Sequence, residues 1–264
     1  MSGFLDAFFG GGGGRGLNFD TAYFLHFVFE PSPIMLKGMM LTVIAAILSQ
    51  IGGVLLGGAL AVAGLSRSHL FRTVNQVYIF LFRGTPVLVQ LVLIYFGLPY
   101  FLGGFDLFPP HIPLGPLMLS GALVAGIVTF ILHEAAYMSE IIRAGILSIE
   151  EGQEEASKSL GMTPATTMLH IILPQAIRVI IPPLGNQFNQ MLKTTSLLSV
   201  IAVPEMFRIA EEMQSATYKS FEVYLGVSVY YLFLTGVWTL IQMQIERRYG
   251  TRRGKTLAMG AAGA

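Results

Sequence analysis

The sequence predicts an all-α fold, a polytopic membrane bundle of five transmembrane helices that carries one polar helical hairpin in water. Three observations lead there. Of the 264 residues, 53% are hydrophobic and only 12% are charged, against roughly 25% charged in a soluble domain. Five apolar stretches approach or exceed the roughly 20 residues that cross a bilayer. Between the third and the fourth lies Glu150 to Pro174, EEGQEEASKSLGMTPATTMLHIILP, the most polar long segment of the chain. A formal net charge of +1 offers no footprint for nucleic acid. With no cysteine, disulfides and thiolate metal sites are excluded.

Residues 1–34 read as a flexible and interfacial segment. MSGFLDAFFGG lacks a basic start and a long apolar core, so it is a poor signal peptide and the first span must direct insertion. Gly10 to Gly14 form a flexible run, and no Lys-Ser/Thr follows to make it a phosphate loop. Phe19 to Phe29 is aromatic, as in a membrane-interface belt. Pro31 and Pro33 then precede a helix start.

The transmembrane domain is placed at 35–250. Its first span runs from about Gly38 to Gly64 with no charge inside, and Gly53-x-x-x-Gly57 allows close helix approach. The second apolar stretch, Val74 to Leu102, is interrupted by Arg83-Gly84-Thr85-Pro86. That break reads as the start of the span proper, with Val74 to Phe82 at the interface. Gly103-Gly104 and Pro109-Pro110 make a loop. The third span, about Leu117 to Ile142, carries His133, Glu134, Tyr137, Glu140 and Arg143 at its far end. The fourth, about Ile171 to Leu192, holds Pro182-Pro183 and then Asn186, Gln187, Asn189 and Gln190. Residues 193–219 are mixed, with a short re-entrant or interfacial helix around Leu197 to Ala210. The fifth span is about Val223 to Ile245, and 251–264 is a basic tail.

The hairpin at 150–170 has local signals at each boundary. Glu150, Glu151, Glu154 and Glu155 complement the positive end of a helix dipole. Gly161 stands where a helix stop wants a left-handed residue. Thr163-Pro164 is a new N-cap followed by proline at the first helical position, and Pro174 ends the element and starts the fourth span. Ala156 and Leu160 share a face; with Met162 and Met168 they need a partner. An outside N-terminus puts Arg67, Arg72, Arg143, Lys158, Arg247, Arg248, Arg252, Arg253 and Lys255 in the cytoplasm. Arg15, Lys37, Lys193, Arg208 and Lys219 stay outside. That bias obeys the positive-inside rule and makes the hairpin cytoplasmic. No internal repeat marks a carrier built of two halves, so one chain is half of a pore.

Glu155-Ala156-Ser157, three residues, Gly161, nine residues and Ile171-x-Leu173-Pro174 resemble the EAA motif of permease subunits in ABC importers. Ser157 stands where that pattern has its second alanine; being small, it should still permit close docking. Phe82-Arg83-Gly84-Thr85-Pro86, Ala136-Tyr137 with Glu140 and Arg143, Gly185-Asn186, Lys193-Thr194-Thr195-Ser196-Leu197 and Glu246-Arg247-Arg248-Tyr249 look like segments of the polar amino acid branch. The resemblance covers roughly residues 35–250. It implies a type I ABC importer permease whose coupling helix sits in a groove of an ATPase subunit. The implied partners are two ATPase subunits, a second permease subunit, identical or similar, an extracytoplasmic solute-binding protein, an amino acid substrate and membrane lipid. ATP and Mg would bind the ATPase subunits, with no cofactor in this chain. The implied place is the bacterial inner membrane.

Glu134 is the foremost ionisable candidate for the substrate path, because a carboxylate inside a bundle is costly. It could meet an ammonium group; the plainer reading hydrates it or pairs it with His133 or Arg143. Glu140 and Arg143, at i,i+3, make a local ion pair. Asn186, Gln187, Asn189 and Gln190 cannot all face lipid; Asn186 with Asn189, or Gln187 with Gln190, could line the path or join helices. Lys193 and Glu205 read as gate or outer-face residues, or as plain surface charges. Gly250 to Thr256, GTRRGKT, has too few residues between its glycines for a Walker A loop, and no histidine pair has HExxH spacing. Ser139 near His133 and Glu140 is the only crude nucleophile cluster and is poorly aligned, so no catalytic residue and no metal ligand is assigned. A stand-alone channel or secondary carrier for small polar solutes is the alternative function.

Overall fold

The computed structural model describes residues 19–114 and 117–249. The glycine run at 10–14, the GTRRGKT stretch and the tail at 251–264 lie outside the described residues. The fold is helical: α1 (Thr21–Phe29), α2 (Pro33–Leu65), α3 (His69–Gly84), α4 (Val87–Phe101), α5 (Gly121–Leu147), α6 (Glu151–Ser159), α7 (Pro164–Ile201), α8 (Met206–Thr217) and α9 (Ser220–Tyr249). Among the described residues, α2, α5, α7 and α9 are each long and apolar enough to cross a bilayer, and α3 with α4 forms a bent apolar pair, a broken span or a re-entrant loop.

α2 and α5 form the centre of the bundle, and glycine is what lets them touch. A Cβ on Gly53 would lie 2.6 Å from Glu134 Cγ, and one on Gly57 would lie 2.5 Å from Met138 Cβ and 2.8 Å from the Ala135 carbonyl oxygen. The small residues Ala45, Ala46, Ala61, Ala135 and Ala136 are buried in the same body. Without a hydrophobic drive between helices in lipid, such close backbone packing is what associates them. α7 packs against both of these helices, and Gly145 of α5 meets Ile180 of α7.

The second apolar stretch breaks where the sequence breaks. α3 ends at Gly84, Thr85 is extended (φ −117°, ψ 145°) and Pro86 caps α4, as the residue before a proline prefers. The two helices meet at 102°. Gln90 holds the corner: its Nε2 donates to the Phe82 carbonyl (2.8 Å), the Thr85 carbonyl (3.1 Å) and Thr85 Oγ1 (2.8 Å). A wide π turn, Leu93–Gly97, interrupts α4.

Some boundaries differ from the sequence reading. Leu117–Leu119 is not helical; it pairs antiparallel with Ile112–Leu114. α5 starts only at Gly121, where Ser120 accepts from the Leu123 amide. Pro174 does not separate the hairpin from the fourth span. A π turn at Met168–Ile172 directly precedes it, and the wider turn makes room for the ring while Gln175 Nε2 donates to the Ile171 carbonyl (2.8 Å). α7 therefore runs from the hairpin into the span and tightens to a 3-10 helix at Thr195–Ile201. The helix placed at Leu197 to Ala210 is instead split: Ala202 is left-handed (φ 59°) and α8 begins at Met206.

α1 lies against α9. Phe27 is buried beside Gly226, and the Tyr230 hydroxyl donates to the Phe27 carbonyl. At the start of α1, Asp20 receives the Lys219 ammonium at 2.6 Å and caps the Tyr23 amide at 2.9 Å, while Glu222 accepts from the Asp20 amide at 2.8 Å.

Candidate coupling hairpin and buried polar sites

The polar hairpin forms as its caps dictate. Glu150 stands at the N-cap of α6, with Glu151 and Glu154 in the first turn and Lys158 in the last, which suits the helix dipole. Gly161 takes φ 76°. The Met162 amide donates to the Ser157 carbonyl (3.1 Å) and the Gly161 amide to the Lys158 carbonyl (2.9 Å), the paired bonds of a Schellman stop. Thr163 then caps the next helix by accepting from the Thr166 amide (3.2 Å), with Pro164 following.

The two faces of α6 differ. Ser157 is buried, and its hydroxyl lies 2.9 Å from Thr167 Oγ1 on the returning arm. Glu155, Ala156 and Leu160 point outward, and Leu160 is 82% exposed. Glu155 caps no helix and has no ion-pair partner among the described residues. Ser157 thus belongs inside the hairpin, where the sequence reading placed it on the docking side with Ala156. On the returning arm Ile171 and Leu173 are half-buried and Pro174 is exposed. Met162 and Met168 are half-buried, leaving Ala156 and Leu160 as the exposed apolar pair.

The end of α5 is tied to the corner of α3 and α4. Glu140 accepts from Arg143 Nε at 3.1 Å and meets Arg83 at 3.7 Å. Arg83 also lies over the Tyr137 ring at 5.1 Å. His133 Nδ1 is 3.0 Å from Gln90 Oε1, and Ser139 donates to Asn75 Oδ1 at 3.0 Å. Ser139 has an amide partner, not a base, so the crude nucleophile cluster does not assemble.

Glu134 is buried at 4% exposure between α2 and α5 and accepts from Gln50 Nε2 at 3.2 Å. It pairs with neither His133 nor Arg143. Gln50 Oε1 and Ser49 Oγ beside it are buried without a hydrogen-bond partner among the described residues. Asn186 accepts from Gln242 Nε2 (3.2 Å) and Asn189 donates to Thr239 Oγ1 (3.3 Å). Both amides face α9, so this i,i+3 pair joins helices. Gln187 is half-buried and Gln190 exposed.

Glu205 overturns the surface-charge reading. It is fully buried at the N-cap of α8, accepting from the amides of Phe207 (2.9 Å) and Arg208 (2.7 Å), from Tyr231 (3.2 Å) and from Thr42 (3.3 Å). Sequence reasoning missed Gln50, Thr42 and Gln90. The one available signal was that polar residues interrupt apolar runs, which shows that they are buried but not against what.

The family described as binding-protein-dependent transport system inner membrane component matches residues 53–251. An L-cystine transport system permease protein of Bacillus subtilis (strain 168) is 40% identical over 217 residues, covering 82% of this chain and 86% of that protein. A probable amino-acid permease protein of the same organism is 38% identical over 221 residues, covering 84% and 93%. A crystal structure of an amino acid ABC transporter with histidines superposes with a TM-score of 0.74 at 39% identity, covering 85% of this chain and 98% of that one. The chain belongs to the family of inner membrane components of binding-protein-dependent transport systems.

Proposed function

We propose that this chain is the permease subunit of an ATP-driven ABC importer for polar amino acids. It passes substrate from an external solute-binding protein to the cytoplasm by alternating access. The observation that carries the reading is the outward face of α6: an unpaired Glu155 with Ala156 and the exposed Leu160, on a hairpin whose own core is closed by Ser157 and Thr167. Such a face needs a protein groove, and an ATPase subunit supplies one. The amino acid class is supported by relatives named for cystine and for amino acids and by a similar transporter holding histidines.

In this reading the N-terminus is outside, the C-terminus and hairpin are cytoplasmic, and two permease subunits stand on two ATPase subunits. ATP and Mg bind those subunits; this chain holds no cofactor and performs no catalysis of its own. Nucleotide shifts the inward–outward equilibrium only through different affinity for the two states. Because α7 continues unbroken from the hairpin, displacement at α6 reaches the span directly. Glu134, Gln187 and Gln190 stand as path candidates, Glu134 toward an ammonium group. Asn186 and Asn189 serve first to hold α9.

The test is co-purification and uptake with Leu160→Asp and Glu155→Lys. Both residues are exposed, so the bundle should fold while the ATPase dissociates and uptake stops. An intact complex with normal uptake refutes the assignment. Solute flux through this chain alone, without ATP, points instead to a stand-alone carrier.

A further inference from the structure

We infer that the cleft between α3 and the end of α5 is a binding site for the phosphate of an anionic phospholipid, with Arg72 and Arg143 as its cationic walls. The cleft measures about 460 Å³ and is floored by Gly64, Asn75, Gln76 and Glu140. Its charge is unbalanced. Glu140 already serves both Arg83 and Arg143, and Arg72 has no carboxylate partner among the described residues. Asn75 gives its oxygen to Ser139, which leaves its amide NH2 as a donor. Two guanidinium groups and side-chain amides around one concavity match a phosphate, which guanidinium groups hold through paired N–H bonds.

The lip of the cleft selects lipid over a soluble anion. Ile79 and Phe80 line it beside the arginines, and Phe80 is 75% exposed. α3 is amphipathic: Arg72, Asn75, Gln76 and Ile79 follow one face toward the cleft, while Leu70, Phe71, Val74, Val77 and Leu81 are exposed. Its axis turns 102° from the segment that follows. A helix of this kind lies at the headgroup boundary, its apolar side among the acyl chains. A headgroup phosphate in the cleft then has its own chains beside Phe80.

The experiment is native mass spectrometry of the purified full-length protein, titrated with phosphatidylglycerol or phosphatidylcholine of identical acyl chains. One phosphatidylglycerol should be retained in preference to phosphatidylcholine. Arg72→Gln should weaken retention about fivefold, the effect of one basic side chain at an anionic surface, and Arg72→Lys should restore most of it. Equal retention of the two lipids, or wild-type retention by Arg72→Gln, overturns the proposal. Displacement by excess inorganic phosphate also overturns it, because the site then takes a soluble anion. So does lipid that binds only after associated protein subunits are stripped away, which makes the cleft a protein contact.

Discussion

Ser157 Oγ lies 2.9 Å from Thr167 Oγ1, so the two arms of the hairpin are fastened to each other by a buried hydroxyl pair. The position where the family pattern has a small apolar residue therefore faces the inside of the elbow, and its neighbour Ala156 faces out. Smallness at 157 serves closure of the arms. Ser157→Ala should keep the fold and loosen it by about 1 kcal/mol, the net worth of one hydrogen bond. Amide exchange over 151–167 should then quicken about fivefold with uptake largely kept. Ser157→Leu should pry the arms apart and abolish uptake. Equal exchange rates in Ser157→Ala and wild type would remove the fastening role.

Gly161 offers a test of backbone alone. A side chain there would meet nothing within 4 Å, yet φ is 76°. The penalty for replacement is thus conformational, about 1–2 kcal/mol for a residue with a Cβ. Gly161→Val should raise the proteolytic sensitivity of the hairpin and reduce uptake, whereas Gly161→Asn, which tolerates the left-handed region, should stay near wild type. Equal behaviour of the two variants would show that the turn does not control the hairpin.

The hairpin was legible because its signals are local. Acidic start, left-handed glycine and Thr-Pro restart each act within one turn of the residue that carries them. The Arg83 to Pro86 break was legible for the same reason. Pro174 misled because a proline also signals a stop, and only the π turn before it shows that the helix absorbs the ring. Glu205 was illegible. Its carboxylate is buried by partners from α2 and α9, 163 residues away in the case of Thr42, and no short-range pattern encodes such a meeting. Glu134 was readable as costly, but its partner Gln50 sits 84 residues upstream.

The α2–α5 contact separates glycines that matter from those that do not. A Cβ at Gly57 runs into Met138 Cβ at 2.5 Å and the Ala135 carbonyl at 2.8 Å, while one at Gly58 finds only Ile142 Cδ1 at 3.9 Å. Backbone cannot yield as a side-chain tip can. Gly57→Ala should therefore lower the thermal stability of the purified protein, and Gly57→Leu should prevent accumulation in the membrane. Gly58→Ala should be neutral or slightly stabilising, since alanine is the better helix former. Similar losses for both alanine variants would mean that helix contact is not what Gly57 provides.

Asp20 and Lys219 make the hold of α1 on the last span sensitive to acid. The Lys219 hydrogen bond, first, and the Tyr23 amide hold the Asp20 carboxyl below its ordinary range. A carboxylate with a lowered folded-state pKa adds stability that is fully present above its unfolded value, about 4. That stability is lost as pH falls through the lowered folded value. Neutral solution should therefore leave α1 docked, and acid below about pH 4 should loosen it. The chain has no native cysteine, so Ala22→Cys, at an exposed position of α1, can carry a single spin label. Its mobility should rise on acidification in the wild-type background. In Asp20→Asn it should start higher and respond less to acid. A label as immobile at pH 3 as at pH 7, or an unchanged acid response in Asp20→Asn, would mean that the burial of Phe27 and the Tyr230 hydrogen bond hold α1 without help from the ion pair.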